Sequence, residues 1–86
     1  MKPICTINYI GDKIWYLNGL LHRTDGPAIE FSNGDKSWYL NGLRHREDGP
    51  AYEGVYGLQS WYYHGSYIYC KDNQEFLRIV KLKMFF

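Results

Sequence analysis

The sequence predicts a mainly β fold: an antiparallel sheet of successive 23-residue β-hairpin repeats, capped by one C-terminal α-helix. Three observations predict it. Trp15, Trp38 and Trp61 are spaced by 23 residues, and about fifteen of the twenty-three aligned positions of Lys13–Asp35 and Lys36–Leu58 are identical; a fixed period of this size means stacked supersecondary units. The runs "KIWYL" and "KSWYL" are each followed directly by Asn-Gly, the strongest short hairpin signal, because a type I′ turn needs positive φ at both central residues. The last stretch, "KDNQEFLRIVKLKMFF", changes to helical spacing.

Taken in order, residues 4–12 form a partial repeat, "ICTINYIGD", aligned with the later "AIEFSNGD". As an edge strand it carries Ile4, Cys5, Ile7, Tyr9 and Ile10, with Pro3 as the only blocker; an uncovered apolar edge invites strand pairing or a symmetric dimer. Residues 13–35 and 36–58 are the two full repeats. In each, the aromatic strand turns at Asn18-Gly19 or Asn41-Gly42 and turns again at Asp25-Gly26-Pro27 or Asp48-Gly49-Pro50, where proline can start a strand but not sit inside a ladder. Alternation with period 2 places Trp15, Trp38 and Trp61, with Leu17, Leu40 and Tyr63, on one face, and Tyr16, Tyr39 and Tyr62 on the other. Residues 59–70 keep the Trp-Tyr pair and Gly65 but lose "HRxDGPA". A helix is expected over 72–84, with Asp72 as N-cap and Glu75 completing a capping box. Phe76, Ile79, Val80 and Lys83 then share one stripe, with Leu77 and Met84 beside it. A helix of about three turns is marginal alone, so it docks, either as a cap on the last hairpin or, with the "MFF" tail, on a partner.

The 23-residue period, the aromatic before Asn-Gly, the His three residues after that glycine and the Gly beyond it resemble the membrane occupation and recognition nexus (MORN) repeat. "WYLNGxxHRxDGPA" is closer still to a divergent version in small bacterial and bacteriophage proteins, over roughly residues 4–70. The resemblance implies an elongated antiparallel sheet of hairpins and a role in binding rather than chemistry. The chain departs from the usual repeat at "HRxDGPA", where His-Gly-x-Gly is common.

Composition narrows the function classes. Eighty-six residues make one domain, and a net charge of +1 supplies little of the attraction that nucleic acids or anionic membranes rely on. Cys5 and Cys70 lie far apart without metal-type spacing, which suits reduced thiols and the cytoplasm; the resemblance implies that of a bacterial or phage-infected cell. The start has no signal-peptide h-region, and no segment reaches transmembrane length. His22, His45, His64, Cys5 and Cys70 offer no local ligand pairing, so neither a metal nor another cofactor is expected. No nucleophile sits in a recognisable context and no phosphate loop precedes the helix, so a non-enzymatic role is expected.

Two sets of residues remain as candidates. His22, Arg23 and Asp25, then His45, Arg46 and Asp48, recur where another repeat follows and vanish where none does; a connector between hairpins behaves so, with Arg pairing a carboxylate and Asp ordering the turn. The third unit is tyrosine-rich, and a partner-binding surface is expected from Tyr52, Tyr56, Tyr62, Tyr67, Tyr69, Phe85 and Phe86, since tyrosine gives large contact area at low entropy cost. Those rings could instead fill a core under the helix. The leading expectation is a protein-binding module, with a phage-type inhibitor of a host or defence protein as the form the resemblance suggests. One alternative is an oligomeric sponge holding a nucleotide-like small molecule between aromatic rows, with Arg23, Arg44 and Arg46 on its phosphates. The other is a structural, self-associating protein; homo-oligomerisation is expected in either case.

Overall fold

The computed structural model describes residues 2–83. It is mainly β, with ten antiparallel strands and a C-terminal helix: β1 (Ile4–Ile7), β2 (Lys13–Leu17), β3 (Leu20–Leu21), β4 (Ile29–Glu30), β5 (Lys36–Ser37), β6 (Tyr39–Leu40), β7 (Leu43–Arg44), β8 (Tyr52–Glu53), β9 (Gln59–Tyr63), β10 (Ser66–Ile68) and α1 (Asn73–Lys83). The principal sheet runs β1-β2-β4-β5-β8-β9-β10, with β3 also on β2, and β6-β7 form a short ladder beside it. Single backbone bonds join that ladder to its neighbours: Arg23 N–H to Tyr39 C=O, Gly42 N–H to Leu21 C=O, and Gly65 N–H to Arg44 C=O. The result is a slab 41 × 32 × 17 Å, a thickness that fits one sheet with side chains on its two faces and a helix at one end.

The hairpin turns form where Asn-Gly calls for them. Asn18 and Gly19 have φ of 52° and 77°, and Asn41 and Gly42 51° and 81°. His64 and Gly65 make the third such turn at 49° and 84°, so a histidine takes the left-handed position that asparagine holds in the other units. The two full units then do something the sequence expectation lacked. Trp15 donates its N–H to Ala28 C=O (2.8 Å) and accepts the His22 N–H (3.1 Å); Trp38 does the same with Ala51 (2.8 Å) and His45 (3.1 Å). One strand thus leaves the ladder at His22 and re-enters at Ala28, and the "HRxDGPA" segment is a detour folded off the sheet opposite each tryptophan.

Helix α1 closes the third unit, where no detour exists. Asp72 Oδ1 accepts the Glu75 N–H at 2.9 Å, as expected of the N-cap, while the Glu75 carboxylate reaches back to Lys71 N–H at 3.1 Å rather than to the cap residue itself. Its inward stripe packs Phe76 and Val80 against Trp61 and Ile68, with Tyr63, Cys70 and Ile79 around them. Trp61 Nε1–H donates to Asn73 Oδ1 at 3.0 Å. The helix is therefore a cap on the last hairpin. Leu77 is about half exposed, and Met84, Phe85 and Phe86 lie outside the described residues. Both cysteines are free thiols, and burial with Glu75 and Asp72 nearby raises the Cys70 pKa. No helix among the described residues is long and apolar enough to cross a membrane.

Candidate functional site

Two faces compete for a functional role. On the tryptophan face, Arg23 lies over the Trp15 ring at 3.8 Å and Arg46 over Trp38 at 3.9 Å. Each guanidinium is spent in the same way. Arg23 donates to Asp25 (2.9 Å), Pro27 C=O (3.1 Å) and Glu30 (3.1 Å); Arg46 donates to Asp48 (2.9 Å), Pro50 C=O (3.1 Å) and Glu53 (3.3 Å). A Cβ on Gly26 or Gly49 would meet the guanidinium carbon at 3.0 or 2.9 Å, so glycine stands in "DGP" to let the arginine lie flat. The Arg–carboxylate pairing expected of a connector is present; the reason for the glycine is steric room, not turn conformation.

Two further residue types bind each unit to the next. His22 Nδ1 accepts the Asn41 N–H at 3.0 Å, and His45 Nδ1 accepts the His64 N–H at 2.7 Å. Nδ1 as acceptor places the proton on Nε2, where His45 has Glu47 at 3.1 Å. The Asp12 carboxylate accepts the Ser32 N–H (2.7 Å), and Asp35 accepts the Val55 N–H (2.9 Å). The corresponding position at the end of the second full repeat is Leu58, and the residue 20 positions on, Arg78, lies in α1 rather than in another turn for a carboxylate to hold.

The hydrogen bond from Asn8 and the Ser32 N–H hold the Asp12 carboxyl below its ordinary pKa; the Tyr52 hydroxyl, at 2.7 Å, and the Val55 N–H do the same for Asp35. A carboxyl depressed in the folded state stabilises it above the unfolded-state value, about 3.9, and that contribution disappears as pH falls through the lower folded-state value. Stability is therefore expected to decline below about pH 4, and Asp35→Asn to flatten that decline in thermal melts recorded between neutral and acid pH. An unchanged acid slope in the variant contradicts the clamp.

A groove of about 630 Å³ opens between the two joints, lined by Arg23, Asp25, Trp38, Arg46, Glu47 and Asp48 among others. Its arginines are already paired and its rim carries three carboxylates, an environment that disfavours a phosphate. No cluster of metal-ligating side chains occurs among the described residues.

The opposite face is built differently. Cross-strand pairing sets Ile14, Ile29, Ser37, Tyr52 and Ser60 in one row, and Tyr16, Tyr39 and Tyr62 follow on the same side. Arg44 pairs with Tyr39 across β6-β7. Its guanidinium carbon lies 5.3, 5.7 and 5.0 Å from the ring centroids of Tyr39, Tyr52 and Tyr62, and its Nη2 donates to the Tyr39 hydroxyl at 2.9 Å. Arg23 and Arg46 each hold two carboxylates; Arg44 holds none among the described residues, and its Nε is buried without a partner. Tyr67 packs edge-on against Tyr62 with centroids 5.4 Å apart.

The expected partner-binding residues divide accordingly. Tyr52 and Tyr62 are half-buried walls of the arginine box, and the hydrogen bond to Asp35 also raises the Tyr52 pKa. Tyr67 and Tyr69 are 58% and 86% exposed, and Tyr56 is fully exposed in a turn. Phe85 and Phe86 lie outside the described residues. Arg44 was legible only as a basic residue, because its neighbours belong to three different strands. Comparison with protein-family models, curated proteins and solved structures found no match to this chain.

Proposed function

We propose that this chain is a non-enzymatic protein-binding module whose working surface is the tyrosine face centred on Arg44. The carrying observation is the contrast among the three arginines of the repeats: two are paired in joints, and the third is held among Tyr39, Tyr52 and Tyr62 with no carboxylate among the described residues. Cation–π contact orients the guanidinium but leaves its charge uncompensated, so a partner presenting a carboxylate in an apolar surround complements it. Arginine and tyrosine are also the residue types that dominate protein–protein hot spots. Helix α1 lies on the other face, so this one is open. The resemblance to small bacterial and bacteriophage proteins makes a bacterial protein, such as a host or defence factor met in the cytoplasm, the target class to test first. The small-molecule alternative fits less well, since Arg23 and Arg46 are each already paired with two carboxylates.

Native mass spectrometry of the protein purified with and without bacterial lysate tests this reading. A stoichiometric protein passenger is expected on the wild type. Arg44→Leu is expected to weaken it by roughly 30-fold, as for a hot spot of about 2 kcal/mol. Leu21 occupies the equivalent position in the first unit, so this substitution suits the fold. A discrete small mass with no protein would favour the sponge, and unchanged binding by Arg44→Leu would remove this face from consideration.

A further inference from the structure

The N-terminal edge of the sheet carries an unpaired ladder whose direction can be derived. Both backbone groups of Trp15 point toward Ala28 and His22. In an antiparallel ladder the direction alternates residue by residue, so those of Ile14 and Tyr16 point to β1, where they face Thr6 and Ile4. The bond from Asn8 N–H to Asp12 C=O continues the same alternation. Ile4 and Thr6 are thus engaged by β2, and the N–H and C=O groups of Cys5 and Ile7 point out of the sheet, where no described strand meets them. The next outward position is Pro3, which has no N–H. The segment Ile4–Ile10 has no charged side chain, and Ile4 and Ile7 are 71% and 65% exposed. At the far end β10 is also a terminal strand, with α1 packed on the tryptophan face of its hairpin.

We propose that β1 pairs antiparallel with β1 of a second copy across a two-fold axis at Thr6, extending one sheet through both chains. Three registers compete. With Thr6 opposite Thr6, Cys5 faces Ile7 of the second copy, and both outward residues exchange N–H and C=O in each of the two symmetric pairs. With Cys5 opposite Cys5, Ile7 faces Pro3 and each copy loses a donor to the proline. With Ile7 opposite Ile7, Cys5 faces Tyr9, which lies in the turn closed by Asn8 and Asp12. The first register leaves no outward group of Cys5 or Ile7 unpaired, and it sets Lys2 against Ile10, so no like charges meet. A second copy is the occupant because the edge complements itself, without charge or bulge to bar like from like. The two-fold lies perpendicular to the sheet, so both tyrosine faces open to the same side and the capped ends point away from each other. Such an interface is isologous and closed.

The test uses full-length protein with Cys5→Ser and Cys70→Ser, to which Thr6→Cys is added. Opposed residues of a pair that is not hydrogen-bonded lie about 4.5 Å apart at Cα, inside the disulfide range. A covalent dimer is therefore expected under mild oxidation. The protein with Cys5 alone (Cys70→Ser) is expected to stay uncrosslinked, because in this register its two thiols sit diagonally, at Cα separations of roughly 8–9 Å. Sedimentation is expected to give a dimer for the wild type and a folded monomer for Thr6→Lys, which opposes two ammonium groups on the axis. A wild type that sediments as a monomer at about 100 μM, the concentration scale of weak association, overturns the proposal. Direct Cys5–Cys5 crosslinking overturns the register, and species larger than a dimer overturn the two-fold in favour of head-to-tail pairing with β10.

Discussion

Replacing Phe76 with alanine is expected to lower stability by about 3–5 kcal/mol, enough to unfold most of the chain at physiological temperature. Phe76 is the largest fully buried side chain among the described residues, at 0% exposure, and with Val80 it ties α1 to Trp61 and Ile68. The rest of the slab offers little compensation: its hairpins are short and the tryptophan stacks over Trp15 and Trp38 are open on one side. A domain of this size has only a few kcal/mol of net stability, so a cavity of one phenyl ring removes most of it. Phe76→Leu, which refills part of that volume, is expected to cost roughly half as much or less. Urea denaturation followed by tryptophan fluorescence and far-ultraviolet circular dichroism measures both. A loss below about 1 kcal/mol, the scale of a surface substitution, would mean that the helix is not holding the last hairpin.

The second large effect belongs to the joints. Arg46→Ala is expected to destabilise the protein by about 2–3 kcal/mol, combining charged hydrogen bonds to a half-buried carboxylate and a carbonyl with the stack on Trp38. Most of that comes from Glu53, Pro50 C=O and the ring, because Asp48 is largely exposed and such pairs contribute little. Asp48→Asn should therefore change stability by less than about 1 kcal/mol. Arg46→Lys is expected to recover little, since an ammonium can neither fork between two acceptors nor lie flat on an indole. Denaturant midpoints for the three variants give the ranking. Full rescue by lysine would contradict the joint as described.

Those joints show why some of this architecture could be read from the sequence and some could not. Asn18-Gly19 and Asn41-Gly42 announce hairpins because the turn is local, and Asp72 with Glu75 announces the helix start for the same reason. The pairing of Arg23 with Asp25 and of Arg46 with Asp48 is likewise short-range. The clamps of Asp12 on Ser32 and Asp35 on Val55 span 20 residues, and those of His22 and His45 span 19, so each is visible only once the period is treated as a distance between neighbours. The change from aspartate to Leu58 at the end of the second full repeat was the signal available. Arg44 is the hardest case: a cation among tyrosines from β6, β8 and β9 has no sequence signature, and Tyr52, expected either on a partner-binding surface or in a core under the helix, is a wall of that box anchored on Asp35.

The repeat itself supplies the variants that test the functional account. Arg44→Leu copies Leu21, and Thr24→Glu copies Glu47, each at the position equivalent by 23 residues; the first alters the tyrosine face and the second the joint face, both within sequences this fold already uses. The decisive measurement is quantitative retention of bacterial lysate proteins on immobilised wild type, Arg44→Leu and Thr24→Glu, compared side by side. The account predicts a stoichiometric protein held by wild type and Thr24→Glu and lost from Arg44→Leu. A protein that stays on Arg44→Leu, or leaves only with Thr24→Glu, would place function on the tryptophan face and contradict it.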